Sequence, residues 1–233
     1  MIYNNITEGI FLSRLNRFIA NIEINGSSEI CHVKNTGRCK ELLIPGTKVY
    51  VQVCDNPARK TKYDLISVVK NGMTVNIDSQ APNKIFHEWV LNSGYFGKNI
   101  TIKPEFTYGK SRFDFYIQTE TRKILVEVKG VTLEEKGLAA FPDAPTLRGL
   151  KHINELSGCL NDGYEAYIFF VIQMDGMHTF VPNRNTQPEF ADALLKARES
   201  GVNILALSCC VNPDTVYGDK FIKVDLEGGG YFG

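Results

Sequence analysis

The N-terminal third of the chain reads as a run of short strands. FIANIEING (18–26) alternates apolar and polar positions and stops at Asn25-Gly26, a pair that favours a tight hairpin. Further runs follow at 28–35, 48–56, 64–72 and 73–78, split by Pro-Gly, Asn-Gly and Asn-Pro turns. These predict five strands over residues 1–80, with a short helical turn at 39–43, and so many short strands in so little chain suit an OB-like barrel.

Near residue 80 the period changes. APNKIFHEWVLNSG (81–94) carries Ile85, Phe86, Trp89 and Val90 on one side, so it predicts a helix, with Asn83 as its cap and Gly94 as its stop. Strands follow at 100–106, 112–118 and 123–129, then a helix at 146–163, a continuous apolar strand at 166–174, a helix at 188–201 and a strand at 202–211. A continuous apolar strand is one buried on both faces. Strands alternating with helices predict an α/β domain over 81–225 built on a mixed sheet, and the glycine-rich residues 226–233 read as a flexible tail.

Composition narrows the picture. The 233 residues are 43% hydrophobic and 22% charged, ordinary for a globular protein. No apolar run is long enough to cross a bilayer, and no leader pattern opens the chain, so a cytoplasmic location is expected and a membrane partner is not. Six dispersed cysteines and four dispersed histidines read as reduced, packed side chains rather than as a zinc site. The 26 basic and 26 acidic residues cancel, but residues 1–80 hold 10 basic against 7 acidic and the remainder 16 against 19. That asymmetry fits a binding module followed by an acidic-site module.

The sharpest chemical signal is RFDFYIQTETRKILVEVKG (112–130). Residues at i and i+2 of a strand share a face, so Glu127 and Lys129 project together while Val126 and Val128 point the other way. Asp114, on the preceding strand, falls beside them if the two strands form a hairpin. Two close carboxylates repel unless a cation separates them, and Mg²⁺ or Mn²⁺ needs only one or two protein carboxylates. An adjacent ammonium can steady charge on a phosphate. An acid on one strand followed by acid-x-Lys on the next is the pattern of PD-(D/E)xK nucleases, with Asp114, Glu127 and Lys129 as catalytic residues and Asp114 and Glu127 as metal ligands. Glu88, on the preceding helix, is a candidate third ligand. A solvated ion pair on the strand is the alternative.

Cations supply candidate DNA contacts. RLNRF (14–18) and VKNTGRCKELLIPG (33–46) bring Arg14, Arg17, Lys34, Arg38 and Lys40 to the barrel, with Phe18 beside them. Arg112 opens the strand of Asp114, and FPDAPTLRGLKHINEL (141–156) places Arg148, Lys151 and His152 on a helix that Thr146 can cap. A helix start bearing cations suits a phosphate. Basic grooves with stacking aromatics bind DNA weakly and with little sequence preference.

Taken in order, RLNRF, VKNTGRCKELLIPG, GKSRFDF, ILVEVKGVTL, AAFPDAPTLRGLKHINEL, FFVIQMDGMHTFVPN and PEFADALLKARESGV resemble the sugar fermentation stimulation protein A family of bacteria and archaea. The resemblance implies an N-terminal OB-like DNA-binding domain, a C-terminal nuclease-like domain, and metal and catalytic positions at Asp114, Glu127 and Lys129. It also implies a link to the regulation of sugar, notably maltose, metabolism. Asn16 stands where the family often has a basic residue. Two functions stay open: a metal-dependent phosphodiesterase that binds DNA, and a non-catalytic DNA-binding regulator that keeps the nuclease fold as a scaffold. Oligomeric state is also open, a homodimer being one option.

Overall fold

The computed structural model describes residues 1–35 and 37–228. Six strands build the first sheet: β1 (Ile6–Arg14), β2 (Ile19–Ile24), β3 (Ser27–Val33), β4 (Lys48–Val53), β5 (Tyr63–Lys70) and β6 (Met73–Asn76). Their order is β3-β2-β1-β4-β5-β6, and a parallel β3–β5 pairing closes β1–β5 into a five-stranded barrel of OB type. Two hairpins turn where asparagine-glycine pairs allow it. Asn25 and Gly26 have φ of 51° and 78°, and Asn71 and Gly72 have 50° and 81°, the left-handed values a two-residue turn of this kind demands. Strand β1 escapes the sequence pattern because Gly9 interrupts it and its pairing with β2 shifts register between Phe11 and Ser13. A side chain at Gly9 would press on the Glu23 carbonyl at 2.9 Å.

The remaining elements are α1 (Ala81–Ser93), β7 (Thr101–Tyr108), β8 (Ser111–Gln118), β9 (Lys123–Val131), β10 (Leu133–Glu135), β11 (Leu138–Phe141), α2 (Leu147–Gly158), a 3₁₀ turn at Cys159–Asp162, β12 (Glu165–Ile172), β13 (Thr179–Pro182), α3 (Pro188–Glu199), β14 (Asn203–Val211) and β15 (Val216–Val224). They form a nine-stranded mixed sheet of order β10-β11-β13-β15-β14-β12-β9-β8-β7. The centre, β9-β12-β14, is parallel and apolar, as the unbroken run at 166–174 predicts. β15 is mostly exposed, and β10, β11 and β13 are short, so none of the four stands out in the sequence.

Three readings need correction. Asn83 does not cap α1: the helix begins two residues earlier, and the Asn83 side chain is used elsewhere. The tail is not loose from residue 226, because Leu226 is fully buried and Asp225 accepts from the Gly228 amide at 2.7 Å. Residues 229–233 lie outside the described residues. Barrel and sheet are also joined more tightly than a two-module reading implies. The end of β6 meets the end of β12: Asn76 donates its amide to the Gln173 carbonyl at 2.9 Å, and Gln173 Nε2 donates to Asn76 Oδ1 at 2.8 Å and to the Asp78 carbonyl at 3.1 Å.

Candidate active site

The site forms where β8 and β9 part. Their ladder runs from Gln118↔Lys123 to Phe115↔Val126 and stops there. One residue further, the Val128 amide donates to Asp114 Oδ2 at 2.7 Å, and Asn83, in the first turn of α1, donates to Asp114 Oδ1 at 2.9 Å. The carboxylate therefore takes an amide in the gap between the two strands. Burial, then the nearby Glu127 charge, push the Asp114 carboxyl above the usual carboxylate range. Two hydrogen bonds do not cancel those costs.

Glu127 is 3% exposed and faces α2. Lys129 Nζ contacts its Oε1, as the i, i+2 spacing predicts, and His152 Nδ1 donates to the same oxygen at 2.5 Å. Burial works against ionisation of Glu127, but the His152 and Lys129 contacts outweigh it and hold the carboxyl below its ordinary range. The other oxygen, Oε2, is buried with no hydrogen-bond partner. His152 is a residue whose role sequence reading missed. It lies on the apolar face of α2 with Gly149, Ile153 and Leu156, and a polar residue on that face was the available signal. Thr146 caps α2 as expected, accepting the Gly149 amide at 3.0 Å.

Asp114 opens into a cleft of about 400 Å³ between the barrel and the sheet. Asn35 and Gly37 come from the barrel, Pro82 and Asn83 from α1, and Asp143 and Ala144 from the loop before α2. Gly130 and Gln173 form the base, and no side chain fits at Gly130, where a Cβ would lie 2.5 Å from Gln173 Oε1. Glu127 and Lys129 do not line this cleft; the Glu127 carboxylate meets His152 of α2 instead.

A second hollow of about 740 Å³ adjoins the cleft, and Gly37 and Ala144 line both. It is basic: Arg17, Arg38 and Lys40 line it, exposed and without an ion pair among the described residues. The other predicted cations have different positions. Arg14 reaches the hollow but donates all five of its N–H groups to backbone carbonyls, those of Asn16, Arg17, Asn35, Gly37 and Arg38 at 2.7 to 3.2 Å. It is a clamp on the loop, not a free phosphate contact. Lys34 lies 3.3 Å from Asp78 and 3.7 Å from Asp64, so its charge is spent inside the fold. Arg112 pairs with Glu105 at 3.2 Å in the open, Lys151 reaches Glu155 at 3.6 Å, and Arg148 is exposed on the first turn of α2. Asn16 shapes the β1–β2 turn, its side chain accepting the amides of Phe18 and Ile19.

Glu88 is not at the site. It accepts the N-terminal ammonium of Met1 at 2.6 Å and lines a different hollow, beside Trp89 and Tyr217. The helix explains this, since five residues beyond Asn83 a side chain has rotated about 140° away from it.

Two family models match this chain. The sugar fermentation stimulation protein RE domain matches residues 80–215, and the SfsA N-terminal OB domain matches residues 12–77. The chain belongs to the sugar fermentation stimulation protein family. Homologues of that name are 57% identical in Ruminiclostridium cellulolyticum, over 97% of this chain and 100% of the relative, and 46% identical in Clostridium botulinum, over 97% and 99%. A solved structure of Pyrococcus furiosus SfsA, described as a complex with Ca²⁺, superposes with a TM-score of 0.87 at 30% identity, over 97% of this chain and 98% of that one. The closed five-stranded barrel followed by a mixed α/β sheet is thus the family's fold.

Proposed function

We propose that this member of the family binds DNA along the Arg17–Arg38–Lys40 hollow and hydrolyses phosphodiester bonds with a divalent cation, Mg²⁺ or Mn²⁺, held by Asp114 and Glu127. The observation that carries the reading is the state of those two acids. Asp114 sits above its ordinary range partly because of Glu127, and Glu127 keeps a buried oxygen with no partner. A cation between them relieves both costs, and a hard ion bound by oxygens suits the donors present. The Pyrococcus relative is described as a complex with Ca²⁺, a hard divalent ion of the class proposed here.

A bound cation supplies charge to a phosphate oxygen and lowers the pKa of a water. The chain's own residues do the rest. His152 and Lys129 keep Glu127 ionised and aimed. Asn83 and the Val128 amide fix the Asp114 carboxylate. Lys129 adds positive charge beside the strand end. The basic hollow gathers phosphates in a salt-dependent, sequence-tolerant way.

Two observations favour a second reading, a non-catalytic DNA-binding regulator of sugar (maltose) metabolism genes. Lys129 and His152 already occupy one oxygen of Glu127, and among the described residues no three His, Cys, Asp or Glu side chains converge to hold a metal. Incubation of labelled DNA with Mg²⁺, Mn²⁺ or EDTA separates the two. The nuclease reading expects metal-dependent cleavage that Asp114→Asn combined with Lys129→Ala abolishes. DNA binding with no cutting under either metal is the result the regulator reading expects.

A further inference from the structure

A third hollow, of about 440 Å³, opens on the barrel between the β1–β2 turn, β3 and the β4–β5 loop. Phe18, His32, Lys34, Arg59 and Asp64 line it. It shares no lining residue with the Arg17–Arg38–Lys40 hollow and meets the Asp114 cleft only at Ser79. Arg17 and Phe18, neighbours in the chain, therefore serve different hollows.

Asp64 organises this hollow. It is 2% exposed. Arg59 Nη2 and His32 Nδ1 both meet its Oδ1, the latter at 3.1 Å, and Lys34 lies 3.7 Å from its Oδ2. Burial opposes ionisation of Asp64, but the Arg59 and His32 contacts outweigh it and hold the carboxyl below the usual range. A buried carboxylate ringed by three basic side chains is not open to a metal. It orients its partners instead, because Arg59 and His32 are each held at one end only. Arg59 is exposed and gives one of its five N–H groups to Asp64, so four remain. His32 is half-buried and keeps Nε2 free. A guanidinium held from behind by a carboxylate presents the rest of its fork to an anion, and phosphate is an anion that this fork matches.

Phe18 supplies an apolar wall. Its ring is exposed, yet its backbone is fixed: the amide donates to Asn16 Oδ1 at 2.8 Å, and the carbonyl accepts the Val33 amide at 2.7 Å. An exposed aromatic ring beside free phosphate donors suits a flat base joined to a phosphate. The hollow's volume falls in the range of small-ligand sites.

We infer that the barrel binds a nucleoside phosphate in this hollow, with the phosphate on Arg59 and His32 and the base against Phe18. This site stands apart from the one proposed above and does not depend on it. The test is calorimetric titration of the full chain with inorganic phosphate, adenosine, adenosine monophosphate and a tetra-adenylate. EDTA is present throughout, so the readout is independent of any metal at Asp114.

Adenosine monophosphate is expected to bind at least about tenfold more tightly than adenosine or inorganic phosphate, since only it engages both walls. Phe18→Ala, at an exposed ring, lowers that affinity about fivefold or more and leaves the melting temperature unchanged. Arg59→Ala lowers it about tenfold or more. Arg59→Lys keeps the charge beside Asp64 but loses the fork, so it also weakens binding should Arg59→Ala fold poorly. The tetra-adenylate arm distinguishes the two sources of the nucleotide. Tighter binding than the monophosphate assigns the site to a unit of a polynucleotide, and equal or weaker binding assigns it to a free nucleotide. An absence of binding to every probe overturns the inference, as does an affinity for adenosine monophosphate that neither Phe18→Ala nor the Arg59 variants change. Loss of binding on Arg38→Ala with none on Arg59→Ala places the nucleotide in the other hollow and also overturns it.

Discussion

At the scale of the residue, Asp114 and Glu127 carry opposite energetic signs. The folded Asp114 carboxyl is raised, so its contribution favours the fold at pH below the ordinary aspartate value and is lost as pH rises through its folded value. The folded Glu127 carboxyl is lowered, so its contribution is present above the ordinary glutamate value and is lost as pH falls through its folded value. Asp114→Asn keeps an oxygen for the Val128 amide and removes the buried charge. In metal-free buffer this variant is expected to be at least as stable as the parent at pH 7, with any gain vanishing by about pH 4 in thermal melts. Glu127→Gln leaves Lys129 unpaired in a mostly buried position and is expected to cost about 3 kcal/mol at pH 7. Chemical denaturation measures it, and a loss under about 1 kcal/mol removes the pairing argument. The strand period of two was enough to find Glu127 and Lys129, and the preceding strand gave Asp114. His152 was read as one of the helix cations and not as the partner of Glu127, because that acid lies on another element 25 residues away, and Glu88 falls elsewhere because of its rotation about α1 from Asn83.

At the scale of the element, the loop after β3 is the part most dependent on one side chain. Sequence reading took Arg14 as a cation for DNA, whereas the fold gives its five donors to five carbonyls. A basic residue at a strand end looks the same in sequence whether it meets solvent or a loop, because the acceptors belong to backbone that only the fold brings near. Arg14→Ala is expected to lower stability by about 2 to 3 kcal/mol and to raise amide exchange across residues 33–40. Arg14→Lys is expected to rescue little, since three donors on a point charge cannot span that set. Salt dependence of DNA binding separates the roles. Arg17→Ala and Arg38→Ala each make the slope shallower by about one, whereas Arg14→Lys, which keeps the charge, leaves the slope unchanged.

At the scale of the whole molecule, one apolar cluster runs from the barrel, through Phe11, Ile22 and Leu65, to Phe170, Phe190 and Leu194 beneath α2 and α3. The Gln173–Asn76–Asp78 contacts stitch the same junction. The change of pattern near residue 80 was legible, but the packing that erases it energetically was not, since a sequence pattern marks which residues are apolar and not which sheet they face. Calorimetry is expected to show a single transition whose van't Hoff and calorimetric enthalpies agree, and two resolved transitions would contradict the shared core.

The proposed divalent ion between Asp114 and Glu127 is tested most directly by a calorimetric titration with Mn²⁺ at pH 7. The parent protein is expected to bind one ion and Asp114→Asn to lose that binding by tenfold or more, about 1.4 kcal/mol, while remaining folded. Equal Mn²⁺ affinity in the two proteins, or no binding to the parent, contradicts the account.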